Sequence, residues 1–435
     1  MTGPPDPAQV RRSVEAVWRI ESARLIAGLA RITGDIGTAE ELAQDALVIA
    51  LERWPASGVP PNPAGWLMTT AKNRAVDQHR RRALHQQKLE IIGRRIERPT
   101  DVLASQVEGR VDDHIGDDVL RLIFTAAHPA LPLESRVALT LRCVAGLSTQ
   151  DVARAFLIPE KTAAQRLVRA KRTLAAHRVP FVMPDPPQMA ERLASVLQVI
   201  YLVFNEGYAA ATGADWMRPA LVEEGLRLGR ILGSLVPDEP EVLGLLALME
   251  IQASRLPART GPNGDPVLLQ DQDRRLWDRL LIRRGFTALA RARSLPAPLG
   301  PYTLQAAIAA CHARAGSVDE TDWARIATLY EALSTVWPSP IVELNRAVAV
   351  GMSSGPAAGL AIVDALADGG QLDSYPHLPA VRGDLLSRLG RPDDARQCFL
   401  QAAALTANAS EKTLFLARAD TVDPRWMTLG KEDST

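Results

Sequence analysis

The sequence predicts an all-α protein. Ala-rich stretches with apolar residues three and four positions apart dominate the chain, whereas the alternation of Val, Ile, Thr and aromatic residues that is typical of strands is missing. With 435 residues, of which 47% are hydrophobic, the chain is long enough to form several domains with buried cores. We therefore expect two to four helical modules and no sheet.

The formal charges cancel overall but are distributed unevenly. Lys plus Arg equals Asp plus Glu at 50 each, yet residues 1–184 hold 26 basic and 20 acidic side chains, and the remainder holds 24 and 30. A basic front half is typical of a module that meets an anionic partner. We expect the front half to bind such a partner and the back half not to.

Cysteine usage and hydropathy indicate a cytoplasmic protein. Cys143, Cys311 and Cys398 have neither metal-ligand spacing nor an even disulfide pattern, so we expect buried thiols in a reducing compartment. The first residues, "MTGPPDPAQV", lack an apolar core. The longest apolar stretches, such as "VLGLLALM", are far shorter than the roughly 20 residues of a membrane span. We predict no membrane contact.

Breaks in the helical pattern divide the chain into modules. The first covers residues 8–83 and ends at a charged connector, 84–115, with little amphipathic order. A second module follows over 116–178. Segment 179–187 is rich in prolines, which cannot continue a helix, and it separates the second module from a third over 188–428.

A helix, a glycine-containing turn and a second helix recur beyond residue 300. Gly316, Gly355 and Gly390 are 39 and 35 residues apart, close to the period of about 34 in tetratricopeptide repeats. The last copy fits the small-and-aromatic spacing of that repeat best, at Leu389, Gly390, Ala395, Phe399 and Ala402. We predict a tetratricopeptide-like array, with an irregular helical domain as the alternative.

Residues 147–174 have the pattern of a helix-turn-helix. Ser148 and Asp151 form a capping box, which predicts a helix from Thr149, and a second helix follows Pro159. The spacing of apolar residues places one stripe of the second helix in a core. This stripe comprises Ala163, Leu167, Ala170 and Leu174.

The opposite side of that second helix is strongly basic. It carries Lys161, Thr162, Gln165, Arg169 and Arg172, with Arg166 beside them. Arg reads guanine, Gln reads adenine and the other cations neutralise phosphate, so this face fits the major groove of DNA. The alternative is a solvated basic helix.

The segment "AGWLMTTAKNRAVDQHRRR" (64–82) predicts another helix with a nucleic-acid face. Its apolar back consists of Leu67, Met68, Ala71 and Ala75. The other face carries Trp66, Thr70, Asn73, Asp77 and Arg80. An aromatic ring among Asn and Arg side chains suits unpaired bases, although Trp66 packing on a neighbouring helix is an equal alternative.

The segment "AEELAQDALVIALERW" predicts a helix with an acidic face. Thr38 and Glu41 form the pattern of a capping box at its start. Glu41, Asp45 and Glu52 lie on one side with Gln44 adjacent, opposite a stripe of Leu42, Ala46 and Ile49. Two interpretations remain open, an ordinary solvated surface and a docking face for a basic partner protein.

Together these segments resemble the RNA polymerase sigma factors of the extracytoplasmic-function type. "GTAEELAQDALVIALERW" is similar to the family's core-binding helix, and "NPAGWLMTTAKNRAVDQHRRR" is similar to its promoter-melting helix. "ALPLESRVALTLRCVAGLSTQDVARAFLIPEKTAAQRLVRAKRTL" is similar to its reader of the upstream promoter element. Residues 188–428 resemble the subgroup with a long helical-repeat extension, through "FNEGYAA", "DQDRRLWDRLLI" and "PSPIVELNRAVAVG".

The resemblance implies two small helical sigma domains. Residues 8–83 would be region 2, which binds core RNA polymerase and recognises and melts the −10 element, and 116–178 would be region 4, which reads the −35 element of promoter DNA. It implies polymerase contacts at Glu41, Gln44 and Asp45. It implies −10 contacts at Trp66, Thr70, Asn73, Arg74, Asp77 and Arg80, and −35 contacts at Lys161, Thr162, Gln165, Arg166, Arg169 and Arg172. The loop from Pro55 to Pro63 would hold a flipped base.

The extension is expected to regulate the sigma module in cis through an intramolecular contact. The family's separate inhibitor becomes unnecessary if the same chain carries the control element. The alternative function is a stand-alone helix-turn-helix regulator with a repeat domain that senses a ligand or a partner. That alternative leaves the Trp66 face and the acidic helix unused.

No enzyme, cofactor or metal site is predicted. Asp271, Asp273 and Asp278 alternate with Arg274, Arg275 and Arg279, which favours a salt-bridged helix surface over a metal site. His312 and His377 lack carboxylate or cysteine partners at ligand spacing. Asn205 and Glu206 of "FNEGY" either line a pocket or cap a helix.

Overall fold

A computed structural model describes residues 7–90, 115–156, 158–208, 217–261 and 266–422, although not the side chains of 7–12, 77–90, 115 and 116. Its regular elements in these ranges are helices, and one isolated antiparallel bridge joins Thr260 and Pro266. The all-α prediction is confirmed. The contacts divide the chain into two compact units, a front unit of residues 1–200 and an extension unit of residues 201–435.

The front unit is built from seven described helices and the first part of an eighth. These are α1 (Pro7–Thr33), α2 (Ile36–Ser57), α3 (Pro63–Glu90), α4 (Ile115–Ala126), α5 (Leu133–Cys143), α6 (Thr149–Phe156), α7 (Glu160–Ala176) and α8 (Pro186–Tyr208). Helix α1 packs against α2 and α3, and also against α4. The helices of the first and second modules therefore share one unit.

The described extension contains ten further α-helices and three short 3₁₀ turns. The helices are α9 (Pro219–Leu235), α10 (Pro240–Ala253), α11 (Arg279–Ser294), α12 (Pro301–Arg314), α13 (Trp323–Val336), α14 (Pro340–Ser353), α15 (Pro356–Asp368), α16 (His377–Arg388), α17 (Pro392–Leu405) and α18 (Ala409–Thr421). From α12 onward each helix packs on the next one along the chain. This successive pairing is the arrangement of a helical-repeat array.

The best-matching predicted repeat is a tight helical hairpin. Gly390 lies at a φ of 71° in the turn between α16 and α17, a conformation that favours glycine. Phe399 is fully buried, and a Cβ atom at Gly383 would lie 3.0 Å from its ring. Glycine at position 383 thus lets the aromatic ring of one helix approach the backbone of the other.

Helix α2 begins at Ile36, three residues before the predicted start at Ala39. Asp35, not Thr38, is the N-cap, because its Oδ1 accepts a hydrogen bond of 2.6 Å from the backbone N–H of Thr38. A carboxylate at the N-terminus of a helix also interacts favourably with the helix dipole. The predicted capping box of Thr38 and Glu41 is therefore wrong.

Two helices continue into segments predicted to be irregular. Helix α2 passes through Pro55 to Ser57, since a proline in the last turn removes only one backbone hydrogen bond. Helix α3 extends to Glu90, seven residues into the predicted connector, where Ala, Leu, Gln and Lys are good helix formers. Residues 91–114 of that connector lie outside the described residues.

Helix α8 begins at Pro186, inside the predicted proline-rich linker, and its first half packs on the second module. The Ser195 hydroxyl is buried and donates to the carbonyl oxygen of Ala127 at 2.6 Å, while Arg136 Nη1 donates to Ser195 Oγ at 2.7 Å. Arg192 donates to the carbonyl oxygen of Phe124 at 2.8 Å. The front unit therefore includes the start of the extension.

The "DQDRRLWDR" segment does not form one salt-bridged helix. It forms 3₁₀ turns at Leu269–Asp271 and Arg274–Leu276. Asp278 then caps α11 by accepting from the backbone N–H groups of Leu280 and Leu281 at 2.8 and 3.1 Å. Two short aspartate side chains that can bond to nearby backbone favour turns and caps over a continuous helix.

Candidate nucleic-acid interface

Helices α6 and α7 form the predicted helix-turn-helix. The Ser148 hydroxyl accepts from the Asp151 backbone N–H at 3.0 Å, and the Asp151 carboxylate accepts from the Ser148 backbone N–H at 3.2 Å. This reciprocal pair is a capping box, and it confirms the start of α6 at Thr149. The backbone N–H of Ile158 donates to the carbonyl oxygen of Ala153 at 3.1 Å and closes the turn before α7.

Helix α7 has the two faces that its sequence predicts. Ala163, Leu167, Ala170 and Leu174 are its buried residues. The exposed residues include Lys161, Thr162, Gln165, Arg169 and Arg172. The apolar stripe fixes the helix against α5 and α6, so the polar residues lie on the solvent side.

Two basic residues of α7 contact the protein. The Arg166 guanidinium lies 5.6 Å from the centre of the Phe156 ring at the end of α6, a cation–π distance that orients it beside the exposed face. Lys171 is partly buried, and its Nζ lies 2.5 Å from Glu40 Oε2 on α2. The sequence analysis predicted neither of these two contacts.

Glu40 joins the two modules of the front unit. Its carboxylate is only 4% exposed and also accepts from Arg142 Nε of α5 at 2.8 Å. Arg142 Nη1 donates to the carbonyl oxygen of Leu147 at 3.0 Å, which ties the start of the helix-turn-helix to the same network. One buried carboxylate thus holds two cations from the second module.

Two further contacts connect the modules. Trp18 Nε1 of α1 donates to the carbonyl oxygen of Gly146 at 3.0 Å, and Gly146 has a φ of 72°. A Cβ atom at position 146 would lie 2.5 Å from Ser22 Oγ, so a side chain is excluded there. Arg31 Nε lies 3.0 Å from Asp118 Oδ2. The contact between the modules is a specific polar interface.

Burial in this interface raises the pKa of the Cys143 thiol to about 12, and the nearby Glu40 carboxylate adds to the rise. The thiol is therefore protonated and unreactive at neutral pH. All three cysteines are free and buried, as predicted.

The upstream candidate face on α3 is less open than predicted. Trp66 is partly buried, and its ring packs edge-to-face on the buried Trp54 ring with 5.3 Å between centroids. Thr70 is partly buried, whereas Asn73 and Arg74 are exposed. The side chains of Asp77 and Arg80 lie outside the described residues. Trp66 thus packs on the neighbouring helix α2, as the packing alternative expected, and remains partly exposed.

The acidic face of α2 lies on the solvent side. Glu41 and Asp45 are exposed and Gln44 is partly buried, whereas Leu42 and Ala46 are buried. Glu40, the neighbour of Glu41, lies on the opposite side in the interface with α5 and α7. The adjacent carboxylates of Glu40 and Glu41 therefore lie in different environments, the first buried between helices and the second in solvent.

Comparisons with known proteins agree with this geometry. Residues 20–84 match the family model for sigma-70 region 2, residues 121–174 match that for sigma-70 region 4, and residues 192–293 match a family of unknown function, DUF6596. An uncharacterized protein of Rhizobium meliloti (strain 1021) is 43% identical over 413 residues, which cover 93% of this chain and 95% of that protein.

The two modules of the front unit are thus those of a sigma-70 transcription initiation factor with a DNA-binding helix-turn-helix. The chain belongs to the sigma factors of the extracytoplasmic-function-like type whose C-terminal extension carries the DUF6596 domain. Sigma factors are not enzymes. In the part of the chain that the structure describes, no group of three or more His, Cys, Asp or Glu side chains is placed to hold a metal ion, and no helix is long and apolar enough to cross a bilayer.

Proposed function

We propose that this chain binds core RNA polymerase and directs promoter-specific transcription initiation, with its extension controlling the sigma module in cis. The observation that carries the proposal is the coexistence in one unit of an exposed basic recognition helix and an exposed acidic face on α2. A stand-alone DNA-binding regulator has no use for the second surface.

In this proposal α7 enters the major groove of the −35 element. Its exposed polar residues, Lys161, Thr162, Gln165, Arg169 and Arg172, lie opposite the buried stripe, and Arg166 borders them. Bidentate Arg or Gln contacts would read bases, and the remaining cations would contact phosphates. The sequence preference therefore resides in a few side chains of one helix face.

The α3 face would contact −10 DNA. The edge-to-face contact with Trp54 would fix the Trp66 ring for stacking on an unpaired base beside Thr70, Asn73 and Arg74. Asp77 and Arg80 complete the proposed surface. Extracting a base costs a few kcal/mol, so melting requires the binding energy of the polymerase.

The front unit would have to open on the promoter. Elements 25 base pairs apart are separated by about 85 Å, at roughly 3.4 Å per base pair. A compact unit of 200 residues has a radius of gyration of only about 16 Å. Helices α3 and α7 cannot reach both elements while Glu40 holds Arg142 and Lys171. Opening would free Lys171 beside the groove face.

Docking on polymerase is tested by reversing charge. We expect the double variant Glu41→Lys/Asp45→Lys to lose co-purification with core RNA polymerase, because both carboxylates are exposed and the partner is expected to be basic there. Glu15→Lys, an exposed glutamate on α1, is the matched control and should bind normally. Normal core binding by the double variant would refute the docking face, and circular dichroism checks that it is folded.

Control in cis would pass through α8. The hydrogen bonds of Arg192 and Ser195 to the carbonyl groups of Phe124 and Ala127 attach the start of the extension to the DNA-binding module. This attachment supports the proposal because any movement of the extension that displaces α8 changes the packing of α4 and α5.

The control is tested with two full-length variants. Arg192→Ala/Ser195→Val removes the side-chain hydrogen bonds of α8, and Glu191→Ala alters an exposed neighbour on the same helix. We expect the first to change promoter-specific transcription at equal protein concentration and the second to leave it unchanged. Equal activity of both variants and the wild type would contradict control through α8. Comparing the fragment 1–200, which keeps the part of α8 that belongs to the front unit, with and without the separate extension shows whether the extension activates or restrains.

A further inference from the structure

The extension unit contains a cavity of about 270 Å³. Its walls are α12, α13, α14, α16, α18 and the loop segment before Trp277. The volume is just below the range of roughly 300–1,000 Å³ that is usual for small-molecule sites. Nothing in the sigma function assigns a role to this cavity.

The ionisable side chains that line the cavity are predominantly basic. The lining contains three arginines, Arg274, Arg388 and Arg418, and one carboxylate, that of Asp384. That carboxylate is already occupied, because both of its oxygens accept from the Arg418 guanidinium, one of them at 3.0 Å. Two positive charges in the wall therefore lack a carboxylate partner among the lining residues.

Arg274 is a buried cation with neutral partners. It is 7% exposed, and its guanidinium donates to the carbonyl oxygens of His312 and Ala315, each at 2.8 Å, and to Thr321 Oγ1 at 3.2 Å. Burial and the nearby Arg255 cation lower its pKa, and the Glu320 carboxylate acts in the other direction. A buried charge whose hydrogen-bond partners are all neutral is costly, and an anion in the cavity would reduce that cost.

A second wall group lacks a hydrogen-bond partner. His312 Nδ1 is buried and has none, while the ring packs edge-to-face on Trp323 with 5.2 Å between centroids. Burial and the charges of Arg255 and Arg274 lower the pKa of His312 to about 3, so the ring is neutral. Buried polar atoms are almost always paired, and this one belongs to a residue that lines the cavity, although the atom itself has almost no accessible surface.

The remaining walls are largely apolar. They include Trp323, Val348, Met352 and Phe415. Apolar walls with a few polar groups are typical of sites for small organic molecules. The ligand class must therefore combine an anionic group with an apolar body.

We propose that this cavity binds a small organic anion, with its phosphate or carboxylate group between Arg274 and Arg388 and its apolar body against Trp323 and Phe415. The anion would lie beside two guanidinium groups that have no carboxylate partner among the lining residues, and close to the neutral His312 ring. Binding requires neither polymerase nor DNA, so it stands independently of the initiation function. Through such a site the extension would respond to the concentration of a small molecule.

The test uses the full-length chain and four probes in isothermal titration calorimetry. Phenyl phosphate and benzoate carry both an anionic group and an apolar body. Inorganic phosphate carries only the anionic group, and benzyl alcohol carries only the apolar body. We expect phenyl phosphate or benzoate to bind at one site at least tenfold more tightly than the other two. The stronger of the two identifies the anionic group.

Arg388→Gln is the decisive variant because Arg388 lines the cavity and is exposed, so that the substitution should not disturb the core. It should weaken binding of the preferred probe by about tenfold, which corresponds to about 1.4 kcal/mol. Arg391→Gln removes an equal charge three residues away, where Arg391 pairs with Asp394 outside the lining, and should leave binding unchanged. Nuclear magnetic resonance should also show the pKa of His312 rising when the probe saturates the site.

Three results would overturn the proposal. The first is that neither phenyl phosphate nor benzoate shows saturable binding up to about 10 mM; a dissociation constant of that size corresponds to only about −3 kcal/mol. The second is an equal loss of affinity in Arg388→Gln and Arg391→Gln. The third is binding that leaves the His312 titration unchanged. Each readout is independent of transcription, so a failure here is distinct from a failure of the initiation function.

Discussion

The front unit and the extension place buried basic side chains in opposite environments. Arg142 and Lys171 share the buried carboxylate of Glu40, whereas Arg274 is buried among carbonyl and hydroxyl oxygens. The first arrangement is electrostatically complete and joins two modules. The second retains a positive charge that faces a cavity. This difference in charge compensation motivates both proposals, the opening of the front unit on the promoter and the binding of an anion by the extension.

The largest effect should come from removing the shared carboxylate. Glu40→Ala leaves Arg142 and Lys171 partly buried without their partner, which typically costs about 3–5 kcal/mol. Glu41→Ala, one residue along, should change the free energy of unfolding by less than about 0.5 kcal/mol because Glu41 is exposed. Urea denaturation of both variants measures the difference. Similar losses in the two would mean that Glu40 does not join the modules.

Removing the buried Arg274 cation of the extension should cost less than removing the Glu40 carboxylate. Arg274→Met keeps the length of the side chain but leaves the carbonyl groups of His312 and Ala315 without their donor, at about 1–3 kcal/mol. Part of that loss is offset because an uncompensated charge disappears. Thermal unfolding of the full chain checks this, with Arg275→Met as the control, since Arg275 is exposed and pairs only with Asp273 among the described ion pairs. A larger loss of unfolding free energy in Arg274→Met than in Glu40→Ala would contradict the expectation that the Glu40 ion pairs contribute more to stability than the Arg274 hydrogen bonds.

A free cation on the recognition helix should affect binding and leave stability unchanged. Arg169→Ala is expected to weaken promoter binding by the holoenzyme by about 1–3 kcal/mol if Arg169 reads a base, or to reduce the salt slope by about one unit if it contacts phosphate. Arg166→Ala should do the same to a smaller degree, because its guanidinium rests on Phe156. Arg53→Ala, an exposed arginine on α2, is the control. Unchanged promoter affinity in both variants would contradict the groove assignment.

The smallest expected effect is on acid stability of the front unit. Burial, Arg192 and His177 lower the pKa of His128 from 6.5 to about 4, and its Nδ1 accepts from the backbone N–H of Ala130. Since the folded state resists protonation, this contribution is complete above pH 6.5 and is lost as the pH falls toward 4. His128→Asn should flatten the fall in unfolding free energy over this window by less than about 1 kcal/mol, because solvent screens a half-buried group. An unchanged pH dependence of the unfolding free energy in His128→Asn would show that His128 does not contribute to acid sensitivity.

Local patterns predicted the helix-turn-helix well. Ser148, Asp151 and the stripe through Leu167 act within one or two helical turns, so spacing along the chain was enough to identify the capping box and the buried face. The N-cap of α2 was missed because Asp35 and Thr38 both fit a cap, and only the folded geometry selects between them. Short-range competition of this kind limits the precision of helix ends.

The partners of the basic residues were not predictable from local pattern. Glu40 lies 102 residues from Arg142 and 131 from Lys171, and it resembles Glu41 in every local respect. Arg274 was assigned to a helix surface because it alternates with aspartates, yet its partners lie 38 to 47 residues away on and after α12. Tertiary contacts at such separations decide which charged side chains are buried.

Transcription from a promoter library with purified core RNA polymerase tests the central claim most directly. Core enzyme with and without the full-length chain is incubated with random upstream sequences, and the transcripts are sequenced to map their start sites. We predict that the chain adds transcripts from defined start sites whose templates share two upstream elements, and that the variant Glu41→Lys/Asp45→Lys adds none. Identical transcripts with and without the chain would contradict its function as an initiation factor.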